Sequence, residues 1–108
     1  LIGRSLRAAV CLDALGEKTI TIDCDVLQAD GGTRTAAICG AFLALRAAEA
    51  RWLKEGIITT PIIIDEIAAI SVGWNGSSAL VDMNFAEDSS TIADFNVVLA
   101  RSGGIIEV

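Results

Sequence analysis

Residues 28–37 read QADGGTRTAA and mark the start of the longest helix that the sequence predicts. Two adjacent glycines precede a threonine and an arginine, and an alanine-rich pattern with helical spacing begins immediately afterwards. We expect this helix to run from residue 33 to about residue 54 and to end at Gly56. Its apolar positions fall on one stripe: Ile38, Phe42, Leu45 and Trp52. The glycine pair therefore predicts a sharp turn that leads directly into the helix.

The segments on either side of this helix have different periodicities. Residues 1–15 have helical spacing and are predicted to form one helix that stops at Gly16. Residues 19–27 alternate strictly between apolar and polar side chains, which predicts a half-buried strand. Later strands are predicted at Ile67–Trp74, Ala79–Phe85, Ala93–Ala100 and from Ile105 onward, with Asn75-Gly76 as a hairpin turn between the first two. This order indicates an α+β fold with two helices packed on a mixed, mostly antiparallel sheet of about five strands.

The composition favours one apolar domain. A chain of 108 residues supports one compact core, so residues 1–108 are expected to form a single domain. The chain opens at Leu1 without an initiator methionine and stops in residues 104–108, which read like the middle of a strand, so we expect this domain to be truncated at both ends. The 53% hydrophobic content predicts that other subunits or further chain cover part of the surface. Apolar stretches are too short to cross a membrane, and three cysteines without a CxxC pair fit free thiols in a cytoplasmic protein.

The residue types restrict the chemistry that is possible. The chain has no histidine and no tyrosine, which excludes a Ser-His-Asp triad, a Cys-His dyad and an imidazole base. The net charge is −6, and seven of the eight basic side chains lie in residues 1–54. The carboxylates, arginines and hydroxyls that are present suit a reaction whose nucleophile is already charged, as in phosphoryl transfer.

The glycine-rich turn is a candidate anion site. Gly31 and Gly32 allow the backbone to approach a ligand closely, and the free amides of a helix start attract negative charge. Thr33 adds a hydroxyl and Arg34 a bidentate cation that matches phosphate. Alternatively, the glycines only make a tight turn, Thr33 caps the helix and Arg34 lies in solvent. Spacing alone favours this second interpretation, because such turns are common before helices.

A second candidate site contains Asp88 and Asp94. Asp88 is predicted to lie in a turn, and Asp94 on the following strand should point away from the apolar side formed by Phe95 and Val97. Two such carboxylates can bind a hard divalent cation, or one of them can act as a general acid. The alternative is a polar loop whose acids are simply solvated.

Four stretches of the chain resemble the bacterial ribonuclease PH family: LIGRSLRAAV, GEKTITIDCDVLQADGGTRTAAICGAF, IAAISVG and EDSSTIADFNVVLARSGGIIEV. This family of phosphorolytic exoribonucleases trims tRNA 3′ ends and is related to polynucleotide phosphorylase and exosome ring subunits. The resemblance spans essentially the whole chain. It implies a phosphate-dependent 3′-to-5′ exoribonuclease that releases nucleoside diphosphates, with inorganic phosphate as co-substrate and Mg²⁺ as cofactor. It also implies RNA as partner and a homo-oligomeric ring of dimers.

The resemblance also implies roles for particular residues. Phosphate would be held by Gly32, Thr33 and Arg34. Metal binding and acid catalysis would come from Asp88 and Asp94. RNA binding is implied for Arg4 and Arg7, although a solvated helix face explains these two arginines equally well.

The chain differs from the family pattern at one position that bears on the metal. Ile92 stands where the family usually has a further aspartate, and the family's upstream strands, another arginine and a final helix are not in this sequence. Two alternatives therefore stay open, a catalytically inactive fragment and a structural RNA-binding ring subunit.

Overall fold

The computed structural model describes residues 1–108 and contains four helices and four strands. The elements in chain order are α1 (Ile2–Ala9), α2 (Leu12–Leu15), α3 (Thr33–Glu55), β1 (Ile67–Trp74), β2 (Ala79–Val81), α4 (Phe85–Ser90), β3 (Ala93–Ala100) and β4 (Ile105–Glu107). The predicted α+β class is confirmed. No helix is both long and apolar enough to span a membrane.

The strands form one sheet with the order β2-β1-β3-β4. Every neighbouring pair is antiparallel, so the sheet is not mixed, and it has four strands rather than five. The central pair, β1 and β3, is matched along its whole length, with Ser71 opposite Asn96 and Gly73 opposite Asp94. Because side chains alternate along a strand, these four residues lie on the same face of the sheet.

Helix α3 packs on that same face and forms the main core with α1. Its stripe was predicted correctly for Ile38, Phe42 and Leu45, which are buried, whereas Trp52 is only half-buried. Ile38 and Phe42 form one buried cluster with Leu6 and Ala9 of α1 and with residues of both central strands. The strand residues in this cluster are Ile67 and Val98. The face of the sheet that α3 covers is its inner face. The polar residues Asp94 and Asn96 extend this face beyond the apolar core, toward the end of the sheet where α3 begins.

Polar contacts fix the connection between α3 and β1. Glu49 of α3 accepts hydrogen bonds at one oxygen from the amides of Ile62 and Ile63, at 2.8 Å and 2.7 Å. The Cys39 sulfur donates to the Ala69 carbonyl of β1 and accepts from its amide. These bonds hold the helix in a fixed position along the sheet.

The predicted first helix is interrupted. Residues 1–15 form α1 and α2, separated at Val10 and Cys11. Val10 makes an isolated antiparallel bridge with Ile63, and the Cys11 amide donates to the Ile62 carbonyl at 2.7 Å. Residues 10–11 therefore pair with the segment before β1 instead of continuing the helix, and the helix is interrupted there.

The predicted strand at residues 19–27 is not formed. No strand of the sheet pairs with it, and from residue 23 onward its side chains are exposed. Only Ile20 and Ile22 pack against the core clusters. Alternation favours a half-buried strand, but a strand also needs a hydrogen-bonding neighbour, and this segment has none.

The predicted strand Ala79–Phe85 ends early, at Val81. Asp82 has a left-handed φ of 57°, which turns the chain out of the strand. Asn84 then caps helix α4 through a capping box with Glu87, so Phe85 begins a helix. The predicted turn at Asp88 is therefore part of α4.

The outer face of the sheet is apolar and uncovered. Its exposed side chains include Trp74, Val81, Phe95, Leu99 and Ile105. Phe95 and Val97 thus lie on the outer face, and Asp94 points away from them as predicted.

Candidate functional site

The glycine-rich turn forms the start of α3. Gly31 and Gly32 have left-handed φ angles of 60° and 67°, and Gly32 is the N-cap without any side-chain cap. The first backbone hydrogen bond of the helix runs from the Ala36 amide to the Gly32 carbonyl, so the amides before it have no partner in the helix. The alternative in which Thr33 caps the helix is wrong. The helix therefore begins with free amides and an exposed Arg34 that makes no ion pair.

Helix α4 carries Asp88 and is fixed at both ends. The Asn84 side chain accepts from the Glu87 amide at 2.8 Å, and Glu87 accepts from the Asn84 amide at 3.2 Å. At the other end, the Thr91 hydroxyl donates to the Asp88 carbonyl at 2.8 Å. These local bonds orient a helix that is too short to be stable on its own sequence.

The start of α3 and the start of α4 touch each other. Asp30 Oδ1 accepts from the Phe85 amide at 2.6 Å, across 55 residues of chain. A Cβ added to Gly31 would lie 2.7 Å from the Asn84 carbonyl carbon and 2.8 Å from its oxygen. The buried Ser71 hydroxyl accepts from the Met83 amide at 3.1 Å and lies beside Gly32. The two turns are therefore packed backbone against backbone.

Strand β3 supplies the third side of the site. Asp94 and Asn96 lie on the inner face, beyond the apolar core, where α3 begins. Because the register with β1 is regular here, their positions follow directly from strand pairing.

These three parts line one cleft of about 560 Å³. All five residues predicted for phosphate binding and catalysis border it: Gly32, Thr33, Arg34, Asp88 and Asp94. Ser71, Asn96 and Phe85 contribute to the same walls. The helix start and the two acids thus lie close together, as the site hypothesis requires. The roles of the individual residues stay predictions.

Asp94 affects the pKa of Asp88. The pKa of Asp88 is raised because partial burial disfavours its charged form, because its protonated carboxyl hydrogen-bonds to Asp94, and because the Asp94 charge repels its own. A raised pKa keeps Asp88 protonated to higher pH than an ordinary aspartate. Asp88 and Asp94 therefore lie close enough for their carboxyl groups to interact.

The same two carboxylates are the only acids available for a metal in the cleft. The chain has no group of three or more His, Cys, Asp or Glu side chains that could hold a metal ion. Mg²⁺ is commonly bound by only one or two carboxylates together with substrate phosphates, so Asp88 and Asp94 fit such an ion. Ile92 does not line the cleft; its side chain is 74% exposed and lies against Gly76 of the hairpin.

The two arginines predicted to bind RNA lie in different places. Arg4 pairs with Glu107 at 3.1 Å and borders a smaller cavity that shares Arg34 and Asp94 with the cleft. Arg7 lines a separate apolar groove beside α1. Only Arg4 is therefore adjacent to the candidate site.

Sequence reasoning missed three residues that the structure brings to this site. Asp30 and Ser71 connect its parts, and Asn96 lines the cleft. Asn96 had a detectable signal, because it lies two residues after Asp94 on a strand and so shares its face. Asp30 and Ser71 had none, since their partners are distant in sequence.

Part of the chain matches a known family of exoribonucleases. Residues 1–50 match the model described as "3' exoribonuclease family, domain 1". This match includes α1, the glycine-rich turn and most of α3.

Individual relatives match the whole chain. Ribonuclease PH of Bacillus subtilis is 55% identical over 109 residues, and those of Caulobacter vibrioides and Bacillus velezensis are 54% and 52% identical over 108 and 109 residues. Each alignment covers 100% of this chain but 44–45% of the relative. The chain is a homologue of ribonuclease PH along its whole length and spans somewhat less than half the length of these relatives.

Proposed function

We propose that this protein is a phosphate-dependent 3′-to-5′ exoribonuclease that trims tRNA 3′ ends. The observation that supports this best is the single cleft that is lined both by the start of α3, with Arg34, and by Asp88 and Asp94. Phosphate needs hydrogen-bond donors and positive charge, and cleavage of the phosphodiester needs a proton donor or a metal ligand, so both kinds of group are required within one site. Homology to ribonuclease PH supports the same reaction.

Inorganic phosphate binds at the start of α3 in this proposal. The amides of residues 32–34 and the helix dipole attract its charge, and the Arg34 guanidinium and the Thr33 hydroxyl bind its oxygens. This arrangement orients one phosphate oxygen toward the RNA end. Phosphate is already charged and needs only to be positioned for attack. The reaction therefore does not need a histidine base, which the chain lacks.

The reaction transfers the terminal nucleotide to phosphate. A phosphate oxygen attacks the phosphorus of the last phosphodiester, the bond from phosphorus to the 3′ oxygen breaks, and a nucleoside diphosphate leaves. The 3′ oxygen of the shortened RNA takes a proton, for which Asp88 is the proposed donor, since it lines the cleft and its raised pKa favours the protonated carboxyl more than in an ordinary aspartate. Asp94, which lines the same cleft, is the proposed residue that orients the Asp88 carboxyl.

Magnesium is part of the same proposal. Asp88 and Asp94 would hold the ion, which when bound neutralises charge on the phosphates. One carboxyl cannot hold Mg²⁺ and a proton at once, so Asp88 would bind the ion only in its ionised form, whereas Asp94 would be free to bind it throughout.

RNA and further subunits are the proposed partners. Arg4 and Arg7 are the proposed RNA contacts, and Arg4 has the stronger support because it borders the cavity next to the cleft, whereas Arg7 lines the groove beside α1. The uncovered apolar face of the sheet supports assembly with other protein surface, since patches of this kind are seldom left exposed. A homo-oligomer is the proposed assembly.

A direct assay tests this function. The protein is incubated with a tRNA that carries extra 3′ nucleotides and with Mg²⁺, with and without inorganic phosphate. We expect nucleoside diphosphates only when phosphate is present. Asp94→Asn should abolish turnover without unfolding the chain, because Asp94 is exposed and outside the core. Nucleoside monophosphates released without phosphate would contradict phosphorolysis.

A non-catalytic RNA-binding module is the second candidate. The exposed Ile92, which stands where an acid is expected, and the absence of a cluster of three acids that could hold a metal ion favour it. RNA binding without product in the same assay would support this candidate.

A further inference from the structure

Two separate stretches of chain must keep a fixed distance for the cleft to work. Residues 30–34 provide the anion side, and residues 83–88 lead to Asp88 on the acid side. Neither stretch belongs to the sheet. Their relative position therefore depends both on contacts with β1 and on direct contacts between them.

One charged side chain makes the direct polar contact. Asp30 Oδ1 accepts from the Phe85 amide at 2.6 Å, and Phe85 is the first residue of α4. That amide is one of the helix-start donors that α4 cannot satisfy internally. A carboxylate at this position binds the Phe85 amide more strongly than a neutral acceptor does. Its charge also interacts favourably with the positive end of the helix dipole.

The neighbouring residues make this contact possible. Gly31 has no side chain, so the backbone of the first turn rests directly on Met83 and Asn84. Ser71 accepts from the Met83 amide and ties the second turn to β1. Asp30 itself is exposed and lies outside the hydrophobic core. Its hydrogen bond therefore affects the geometry of the cleft more than it affects the free energy of unfolding.

We infer that Asp30 is a positioning residue that couples the phosphate side of the cleft to the Asp88 side. This inference rests on the proposed function for its catalytic consequence. The coupling itself is a property of the fold and can be measured without any activity.

Hydrogen exchange tests the coupling first. In Asp30→Ala the Phe85 amide loses its acceptor, and we expect its exchange protection to fall about tenfold, the size expected for one charge-assisted hydrogen bond. Asp30→Asn keeps an oxygen acceptor and should retain most of the protection. Asp25→Ala is the matched control, because it removes an exposed acid from the same segment that makes no hydrogen bond. Unchanged protection in Asp30→Ala would overturn the inference.

Phosphorolysis kinetics test the consequence. We expect Asp30→Ala to lower kcat/KM for phosphate roughly tenfold and Asp30→Asn to restore most of it, while the melting temperature of both stays close to that of Asp25→Ala. A loss of activity that follows the melting temperature would overturn the positioning role. An inactive wild-type chain would instead contradict the proposed function, and hydrogen exchange would still decide the coupling.

The partner amide provides a second, independent test. Phe85→Pro removes the donor at the first position of α4, where proline fits the helix, and Asn84 already has the extended backbone that proline requires before it. Phe85→Ala is its control, because it removes the ring and keeps the amide. We expect Asp30→Ala to have no further effect on kcat/KM in the Phe85→Pro background. A second full tenfold loss there would overturn the inference.

Discussion

Replacing Gly31 with alanine should destabilise the protein through a backbone contact and not only through its φ angle. Gly31 has a φ of 60°, and an added Cβ would meet Asn84 backbone atoms at 2.7 Å and 2.8 Å, with the Met83 carbonyl closer still. These atoms cannot rotate away, so the two turns would have to separate. Gly56 is the matched control, because its φ is 73° and nothing lies within 4 Å of an added Cβ.

The expected loss of stability has two contributions, the left-handed φ angle and the backbone contact. A left-handed φ costs an alanine roughly 1–2 kcal/mol at either position. Forcing atoms into a packed contact typically costs a further ~1–3 kcal/mol, and only Gly31→Ala incurs this cost. The gain from a less flexible unfolded chain is common to both variants and cancels.

Urea unfolding provides the measurement. We expect the free energy of unfolding to fall by about 1–3 kcal/mol more for Gly31→Ala than for Gly56→Ala. Gly32→Ala should lie between them, since its Cβ would meet the Ser71 and Thr35 hydroxyls at 3.3 Å. Equal losses for Gly31→Ala and Gly56→Ala would refute the packing of the two turns.

Three further predictions concern other parts of the chain. Arg34→Ala should weaken the use of phosphate more than the retention of RNA, with stability within about 0.5 kcal/mol of wild type because Arg34 is exposed and unpaired; equal losses in phosphate and RNA titrations would argue against a phosphate role. Glu49→Ala should lower the free energy of unfolding by roughly 1–3 kcal/mol, since two amides of the loop before β1 lose their acceptor; an unchanged urea midpoint would show that water replaces it. The pKa of Asp65 is lowered chiefly by the Ser102 hydroxyl at 2.6 Å, so this carboxylate stabilises the fold above its ordinary pKa of 3.8 and loses that effect as the pH falls through the lowered value. Acid titrations should therefore show a smaller loss of stability below pH 3.8 in Ser102→Ala, and identical acid profiles would contradict this assignment.

The parts of the fold that the sequence predicts well are those with local causes. Helix α3 and strands β1 and β3 have clear periods and clear end signals, and their observed bounds agree with the predictions. Helix α4 was missed although its Asn84-x-x-Glu87 capping box was readable, because a strand pattern before it was extended too far. Residues 19–27 show the opposite error, since their alternation indicates a face but provides no neighbouring strand.

The site is predictable as a set of residues and not as a geometry. Arg34 and Asp94 are distinctive in sequence, but their common cleft depends on the pairing of β1 with β3 and on how α3 crosses the sheet. The bond from Asp30 to Phe85 spans 55 residues and leaves no local pattern. Contacts between two turns of this kind come only from the assembled fold.

The most direct test of the central claim is to locate bound phosphate on the folded chain. Inorganic phosphate is titrated into ¹⁵N-labelled protein, and amide chemical shifts are followed for wild type and Arg34→Ala. We predict that shifts concentrate at residues 31–35 and reach Asp94 across the cleft, and that they weaken strongly in Arg34→Ala. Shifts centred instead on Arg7 and Lys18 in the groove beside α1, or shifts unaffected by Arg34→Ala, would contradict the claim.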